Sequence, residues 1–314
     1  MRFIDWDGVH KLADYPSLVG ALAAMYAGGC DAMDRLLMSQ PTKDGDEGDF
    51  LMQPAWIRGR GFGIKIANVF PGNEARGKPS IMGVYLLFDG NTGEPLAVID
   101  GTAETLVKTA SNSAVATKFL ARDDAETMLM MGAGNLAPYL IAAHASVRPI
   151  RRVMIWNRTK AKAESLAARL SKPGFAVEAV TDPAAAAARA DLVSCATYAA
   201  EPILKGAWLK PGTHVDLVGS YRPDLRESDD EVIRRAGHLF VDARFSTVEI
   251  SGDVIEPLRR GVLSKDDITD LFELAQGKRP GRGNADEITV FKSGGGGHED
   301  LAAALMLYER VLNS

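Results

Sequence analysis

The sequence predicts an α/β protein with a doubly wound parallel sheet, preceded by a smaller α+β segment. Three observations carry this. From Glu126 to Thr197 the chain alternates between short apolar runs and helical stretches. The first of those runs breaks at a glycine turn, "MLMMGAGNLA", and resumes with helical character. Ahead of it, runs rich in β-branched and aromatic residues are parted by turn chemistry instead of helices.

In chain order, "MRFID" reads as a short strand and "YPSLVGALAAMYAGG" as a helix closed by glycines. "GFGIKIANVF", "SIMGVYLLFD" and "EPLAVIDG" read as strands, and their separators "PGNEARGKP" and "GNTG" are turn-forming, which implies an antiparallel or mixed sheet. From Lys108 the pattern changes, and "TASNSAVATKFLA" has the spacing of a helix.

The series "ETMLMMGAG", "NLAPYLIAAHASV", "RRVMIWNR", "TKAKAESLAARLS", "AVEAV", "DPAAAAARA" and "DLVSCAT" then alternates strand and helix. "THVDLVGS" and "HLFVDA" add strands. Strands separated by helices of this length imply a parallel sheet covered on both faces. The alanine-rich "PAAAAARA" reads as a bland surface helix, and "EDLAAALMLYERVLN" as a last helix able to return to the first domain.

A chain of 314 residues exceeds one ordinary small core, so two domains are expected. With 46% hydrophobic and 25% charged residues it is of globular composition, and the net charge of −5 offers no footprint for nucleic acid. Cys30 and Cys195 lie far apart without metal-ligand spacing, the histidines are scattered, and no run approaches the about 20 apolar residues of a membrane span. No metal site and no signal peptide are expected. A reducing cytoplasm suits this cysteine usage.

"MGAGNLA" places Gly132, Gly134 and Ala137 in the GxGxxA form. The first glycine permits the tight turn, the second admits a pyrophosphate to the backbone, and the small third residue lets helix and strand pack closely. The phosphates then meet the positive end of the helix. The context, after a strand and before a helix, predicts dinucleotide binding. At the end of the next strand an NAD site carries Asp or Glu, but this chain has Asn157 followed by Arg158, with Lys160 beyond. Positive charge there favours NADP(H), with NAD(H) still open, against a reading of Arg158 as a solvated helix-start residue.

"IKIANVFPGN", "NTGEPLAVIDG", "TASNSAVATKFLA", the glycine turn, "VRPIRRVMIWNRT", "GSYRPDLRE", "DEITVFKS" and "EDLAAA" together resemble the ornithine cyclodeaminase/mu-crystallin family. The resemblance runs from about Met52 to the C-terminus. It implies a homodimer in which a Rossmann domain (116–290) is inserted into a substrate-binding and dimerisation domain formed by 1–115 and a returning helix in 291–314. It also implies that basic residues hold a substrate carboxylate: Lys65 on a predicted strand, Lys108 where most members have Arg, and Arg35 in "MDRLLMSQP". Cofactor contacts are implied for Ser80, Lys108, Gly132, Gly134, Asn135, Leu136, Asn157, Arg158, Thr159, Thr197, Val218 and Ser293. Leu136 departs from the usual glutamine, while Ser80 and Thr197 also suit ordinary strand-end hydroxyls.

Cyclodeaminases of the family carry an aspartate two residues after the glycine matching Gly219, and this chain has Tyr221 there, followed by "RPDLRE", which looks more like the mu-crystallin branch. A phenol near pKa 10 does not replace a carboxylate base, although it can donate a hydrogen bond or a proton. The expectation is therefore an NAD(P)H-dependent reductase of small 2-imino acids such as Δ1-pyrroline-2-carboxylate or its six-membered homologue. Lys65 or Tyr221 would be the proton donor. Ornithine cyclodeaminase, alanine dehydrogenase and a non-catalytic NADPH-dependent binding protein are the alternatives. "KSGGGGHED" reads as a flexible loop, more readily one with no catalytic role than one that closes over the nicotinamide, with His298 a weak acid candidate, and Asp229 and Asp230 read as a helix N-terminus.

Overall fold

The computed structural model describes residues 1–33, 35–43, 45 and 47–313. The chain begins with β1 (Arg2–Ile4), α1 (Trp6–Leu12), α2 (Tyr15–Gly28), β2 (Asp31–Ala32), β3 (Leu36–Pro41), β4 (Glu47–Ile57), β5 (Gly61–Val69), β6 (Ile81–Asp89) and β7 (Pro95–Asp100). After α3 (Gly101–Leu120) come β8 (Thr127–Met131), α4 (Ala137–Val147), β9 (Arg152–Trp156), α5 (Lys160–Leu170), β10 (Ala176–Ala179), α6 (Pro183–Ala187), β11 (Leu192–Cys195) and β12 (His214–Leu217). The remainder is α7 (Asp230–Ala236), β13 (Leu239–Val241), α8 (Arg244–Thr247), α9 (Gly252–Arg259), β14 (Ile268–Asp270), α10 (Leu271–Ala275), β15 (Thr289–Lys292) and α11 (Gly297–Leu312). Two compact units result: Met1–Lys108 with Gly296–Ser314, and Thr109–Gly295.

In the first unit the sheet order is β1-β7-β6-β5-β4-β2, with β3 also paired to β4. β1 runs parallel to β7 and the other pairs are antiparallel, so the sheet is mixed. β5 alternates cleanly: Gly61, Gly63, Lys65 and Ala67 are buried, and Phe62, Ile64 and Ile66 half-buried. The small residues make room for neighbours. A Cβ on Gly61 would come within 2.9 Å of Leu305 of α11, and one on Gly63 within 2.4 Å of the Tyr85 hydroxyl. The buried face of the sheet is thus the one α11 covers, and Lys65 points into it.

The second unit is an eight-stranded sheet ordered β10-β9-β8-β11-β12-β15-β13-β14, parallel at every pairing. The order reverses between β8 and β11, the switch point at which a doubly wound sheet opens a ligand crevice beyond its carboxyl ends. β8, β11, β12 and β15 are buried almost throughout, as strands with helices on both faces must be.

Several expectations need correction. α3 starts at Gly101, not near Lys108, because Asp100 ends β7 and also caps the helix, accepting from the N–H groups of Thr102 (3.0 Å) and Ala103 (2.8 Å). The alanine-rich helix is not purely a surface element: Ala186 and Ala187 are buried in the core of the second unit. The glycine run is packed instead of loose. Gly294 and Gly295 donate N–H bonds to Asp242 Oδ2 at 2.7 and 2.6 Å, and a Cβ on Gly294 would meet the Thr247 hydroxyl at 2.2 Å. His298 lies in the first turn of α11, buried beside Tyr26, with ring centroids 5.7 Å apart, so it is no exposed loop acid.

Candidate active site

In the first unit, Lys65 and Lys108 converge on the first turn of α11. Lys65 reaches it from β5, and Lys108 from mid-α3. Lys65 Nζ is 3.3 Å from Asp300 Oδ1, and Lys108 Nζ is 3.2 Å from the same oxygen and 2.8 Å from Glu299 Oε2. All four side chains are buried. Burial alone would depress the Lys108 ammonium, yet the charges of Asp300 and Glu299 outweigh it and hold its pKa well above the usual lysine value. Burial would likewise raise Asp300, and the two lysines bring it below the ordinary carboxylate range.

Two further acids complete the cluster. Glu104 lies one helical turn before Lys108 on α3 and is fully buried, and Tyr85 lies directly across from Lys65 in the β5–β6 register. Among the described residues no hydrogen-bond partner meets either oxygen of Glu104, the Tyr85 hydroxyl or Asp300 Oδ2. Burial, then the charge of Asp300, pushes the Glu104 carboxyl well above its usual range, and burial with Glu104 nearby does the same to Tyr85.

In the second unit the glycine turn sits at the switch point. Gly132 has φ +116°, and a Cβ there would meet the Ala196 carbonyl oxygen, at the end of β11, at 2.5 Å. Its N–H bonds the Trp156 carbonyl at 2.8 Å. Gly134 is exposed with open space where its Cβ would be, and no side chain caps α4 at Leu136. This is an open cradle of backbone facing the N-terminus of an eleven-residue helix, which fits a pyrophosphate. Asn157 supports the turn from below: its Oδ1 accepts from Ala133 N–H at 3.2 Å and its Nδ2 donates to the Thr159 carbonyl at 2.9 Å. Arg158 and Thr159 are exposed at the start of α5, and Lys160 is spent on an exposed pair with Glu164.

The loops after β11 and β12 are tied by Glu227, which sequence reasoning missed. Its Oε1 accepts from the Thr197 N–H (2.7 Å) and hydroxyl (2.8 Å), and its Oε2 from the Gly219 N–H (2.7 Å). Its own N–H donates to both oxygens of Asp253 at 3.1 Å. Burial, then the Asp253 charge, pushes the Glu227 carboxyl up to about 7. Thr197 and Val218 therefore stand in loops clamped by one carboxylate. Val218 N–H bonds Cys195 O at 2.8 Å, and Ser293 N–H bonds Leu217 O at 2.9 Å, so both lie at the carboxyl ends of adjacent strands. Tyr221 follows in the same loop, partly exposed, its ring centroid 6.0 Å from that of Tyr198. Burial, then Tyr198, raises its pKa, so it is neutral at pH 7.

Lys65 and Lys108 are thus brought together through Asp300, Gly132 with Asn157 through the turn, and Thr197 with the Val218–Gly219 loop through Glu227. Arg35 lies half-buried between β2 and β3, and Ser80 immediately before β6, where its carbonyl accepts from Phe70 N–H at 2.8 Å. Asn135 is exposed in the glycine turn. Glu104 carried a legible signal, an acid at i−4 from a helical lysine. For Glu299 and Asp300 the sequence offers only two acids in a first helical turn, which ordinarily means dipole compensation.

A parallel sheet with this cradle at its switch point, in a chain that also builds a buried lysine–carboxylate cluster, defines a nicotinamide-dependent oxidoreductase of the α/β class. The chain belongs to the ornithine cyclodeaminase/mu-crystallin family, whose model matches residues 9–314. It is 41% identical over 259 residues to the Δ1-pyrroline-2-carboxylate reductase of Paracoccus denitrificans, covering 82% of each chain. Among solved structures it is similar to the Δ1-pyrroline-2-carboxylate reductase of Thermococcus litoralis in complex with NADH and L-proline, with a TM-score of 0.90 and 32% identity over 100% of this chain and 98% of that one. An archaeal alanine dehydrogenase dimer with bound NAD gives 0.89 and 26% identity over 100% and 96%.

Proposed function

We propose that this protein reduces small cyclic 2-imino acids, Δ1-pyrroline-2-carboxylate or its six-membered homologue, to L-amino acids. Relatives named for that reaction support the substrate class. The observation that selects reduction within the family is Tyr221: two residues after Gly219 the chain offers a neutral phenol, not the carboxylate that ammonia loss and ring closure require. When bound, the reduced nicotinamide supplies the hydride for the imine carbon. Gly132, Gly134, Asn135 and Leu136 hold its pyrophosphate through backbone groups, and Thr197, Val218 and Ser293 line its other end. Ser80 is a further contact carried by the resemblance. Lys65 and Lys108 hold the substrate carboxylate, with Arg35 assisting. An electron-poor iminium accepts hydride readily, so alignment and charge placement carry most of the work.

The cofactor we favour is NADP(H). Arg158 and Thr159 are exposed after β9, where the resemblance puts the adenosine ribose, and Asn157 contributes no negative charge. For the assembly we propose a homodimer. Leu36, Met38, Met52, Trp56, Phe62, Ile64, Ile66, Val84 and Phe88 share the sheet face opposite α11, through the β3–β4, β4–β5 and β5–β6 registers, and much of that face is exposed. A continuous apolar sheet face of this kind suits a second copy, whose own face is its complement. Light scattering on the purified protein tests it, with a monomer as the contrary result. Cys30 and the buried Cys195 are free thiols, which suits the reducing cytoplasm. No helix among the described residues is long and apolar enough to cross a membrane.

The reaction is tested by following NADPH and NADH oxidation across a panel of cyclic and linear 2-imino acids, with ornithine, alanine and pyruvate plus ammonia in parallel. Cyclic imines are expected to turn over fastest. Release of proline and ammonia from ornithine as the main activity would replace this reading with cyclodeamination.

A further inference from the structure

We propose that Glu104 is the acid that delivers a proton to the imine nitrogen, and that it does so from a cluster built for a dipolar substrate; the role rests on the reductase reading above. The first unit buries three carboxylates, Glu104, Glu299 and Asp300, against two ammonium groups, Lys65 and Lys108. Among the described residues the ion pairs of Lys65 and Lys108 go to Glu299 and Asp300. Glu104 is the acid left over, and both its oxygens are buried without a hydrogen-bond partner among the described residues. With Glu104 neutral the cluster carries no net charge, as does an imino acid with a protonated ring nitrogen and an ionised carboxylate.

The unfilled groups match such a ligand in sign. Glu104 and Asp300 Oδ2 offer oxygens to an N–H, and the Tyr85 hydroxyl, buried and unpartnered, offers a donor to a carboxylate alongside the two lysines. Leaving a polar group buried and unpaired costs about 1–3 kcal/mol, so several in one place point to a ligand that completes them. The groups that face Glu104 are Lys65 from β5, Tyr85 from β6, Asp100 at the end of β7, Lys108 on its own helix and Asp300 from α11. Burial and the carboxylate of Asp300 push the Glu104 carboxyl well above its usual range, which favours the protonated form.

In the step itself, the Glu104 O–H bond breaks as an N–H bond forms on the neutral imine, which yields the dipolar iminium carboxylate that the cluster matches; hydride then adds to the imine carbon and the π pair of the C=N bond moves onto nitrogen. The nicotinamide is oxidised and the imine reduced to a secondary amine. The resulting carboxylate lies within the field of Lys65 and Lys108 and regains its proton from solvent.

The test compares wild type with Glu104→Gln and Glu104→Asp. Gln keeps the size and removes the acid, so kcat should fall roughly 100-fold or more with KM and cofactor affinity little changed. The loss should be greatest where the free imine is unprotonated and should shrink as the pH drops and the substrate arrives already charged. Asp should restore the wild-type pH profile at a lower rate. In the infrared difference spectrum of wild type minus Glu104→Gln at pH 7, a neutral-carboxyl C=O stretch should remain after the contribution of Glu227, common to both proteins, cancels. An equal loss at every pH, a change in KM alone, or no such infrared band overturns the role while leaving an active wild-type reductase intact. A wild type inert toward every 2-imino acid removes the reductase reading and this role with it.

Discussion

Lys65 Nζ and Asp300 Oδ1 lie 3.3 Å apart, both side chains buried, and the same carboxylate oxygen also serves Lys108. The pairing has a consequence for catalysis. A lysine held by one carboxylate in a buried cluster is pre-aimed, and in the proposed reaction a substrate carboxylate would meet it without first immobilising a flexible side chain. Lys65→Ala should therefore reduce turnover roughly 100-fold while leaving dinucleotide affinity largely unchanged. Steady-state kinetics and a fluorescence titration with NADPH check the two halves. Near-normal turnover would remove Lys65 from the site.

The clamp by Glu227 predicts a pH dependence of cofactor binding. Three donors point at its carboxylate, so the ionised form holds the Thr197 and Gly219 loops, and a proton on either oxygen displaces a donor. With its pKa pushed up to about 7, affinity should weaken as pH falls through neutrality. Glu227→Gln should bind weakly at every pH and lose the dependence. Stability moves the other way. The folded state holds this proton more tightly than the unfolded chain, whose glutamate titrates near about 4.3, so the group's contribution is present in acid and is lost as pH rises from there through about 7. Urea denaturation of wild type and Glu227→Gln at pH 5 and pH 8 separates that contribution from the rest, and a pH-independent affinity in the wild type contradicts the clamp.

Gly132→Ala should destabilise the second unit by about 1–3 kcal/mol and abolish dinucleotide binding, because the residue has positive φ and its Cβ would press on the Ala196 carbonyl. Gly134→Ala meets open space, so it should fold normally and lose affinity only. Thermal unfolding with and without NADPH distinguishes the two. Equal melting temperatures for both variants would contradict the argument.

Arg158→Asp should swing the kcat/KM ratio from NADPH toward NADH, since a carboxylate repels a 2'-phosphate and accepts ribose hydroxyls. An unchanged ratio would show that the guanidinium faces only solvent.

How much of this was legible in the sequence follows from the range of the forces involved. The glycine turn and its strand–helix context are local, and so is the alternation that turns Lys65 inward; both can be read from a few neighbouring residues. The start of α3 was hidden because Asp100 serves two elements at once, finishing a strand and capping a helix. Glu299 and Asp300 acquire their role only when α11 lies on the small-residue face of β5, a contact between segments more than two hundred residues apart, which no local pattern encodes. Glu227 is similar: its three partners come from the ends of two strands that only the folded sheet sets side by side.

The most direct test of the central claim is isotopic. With nicotinamide deuterated at C4 and Δ1-pyrroline-2-carboxylate as acceptor, the account predicts L-proline carrying one deuterium at C2, formed in step with oxidised cofactor. Proline formed without that label, or formed from ornithine with no net cofactor oxidation, would contradict it.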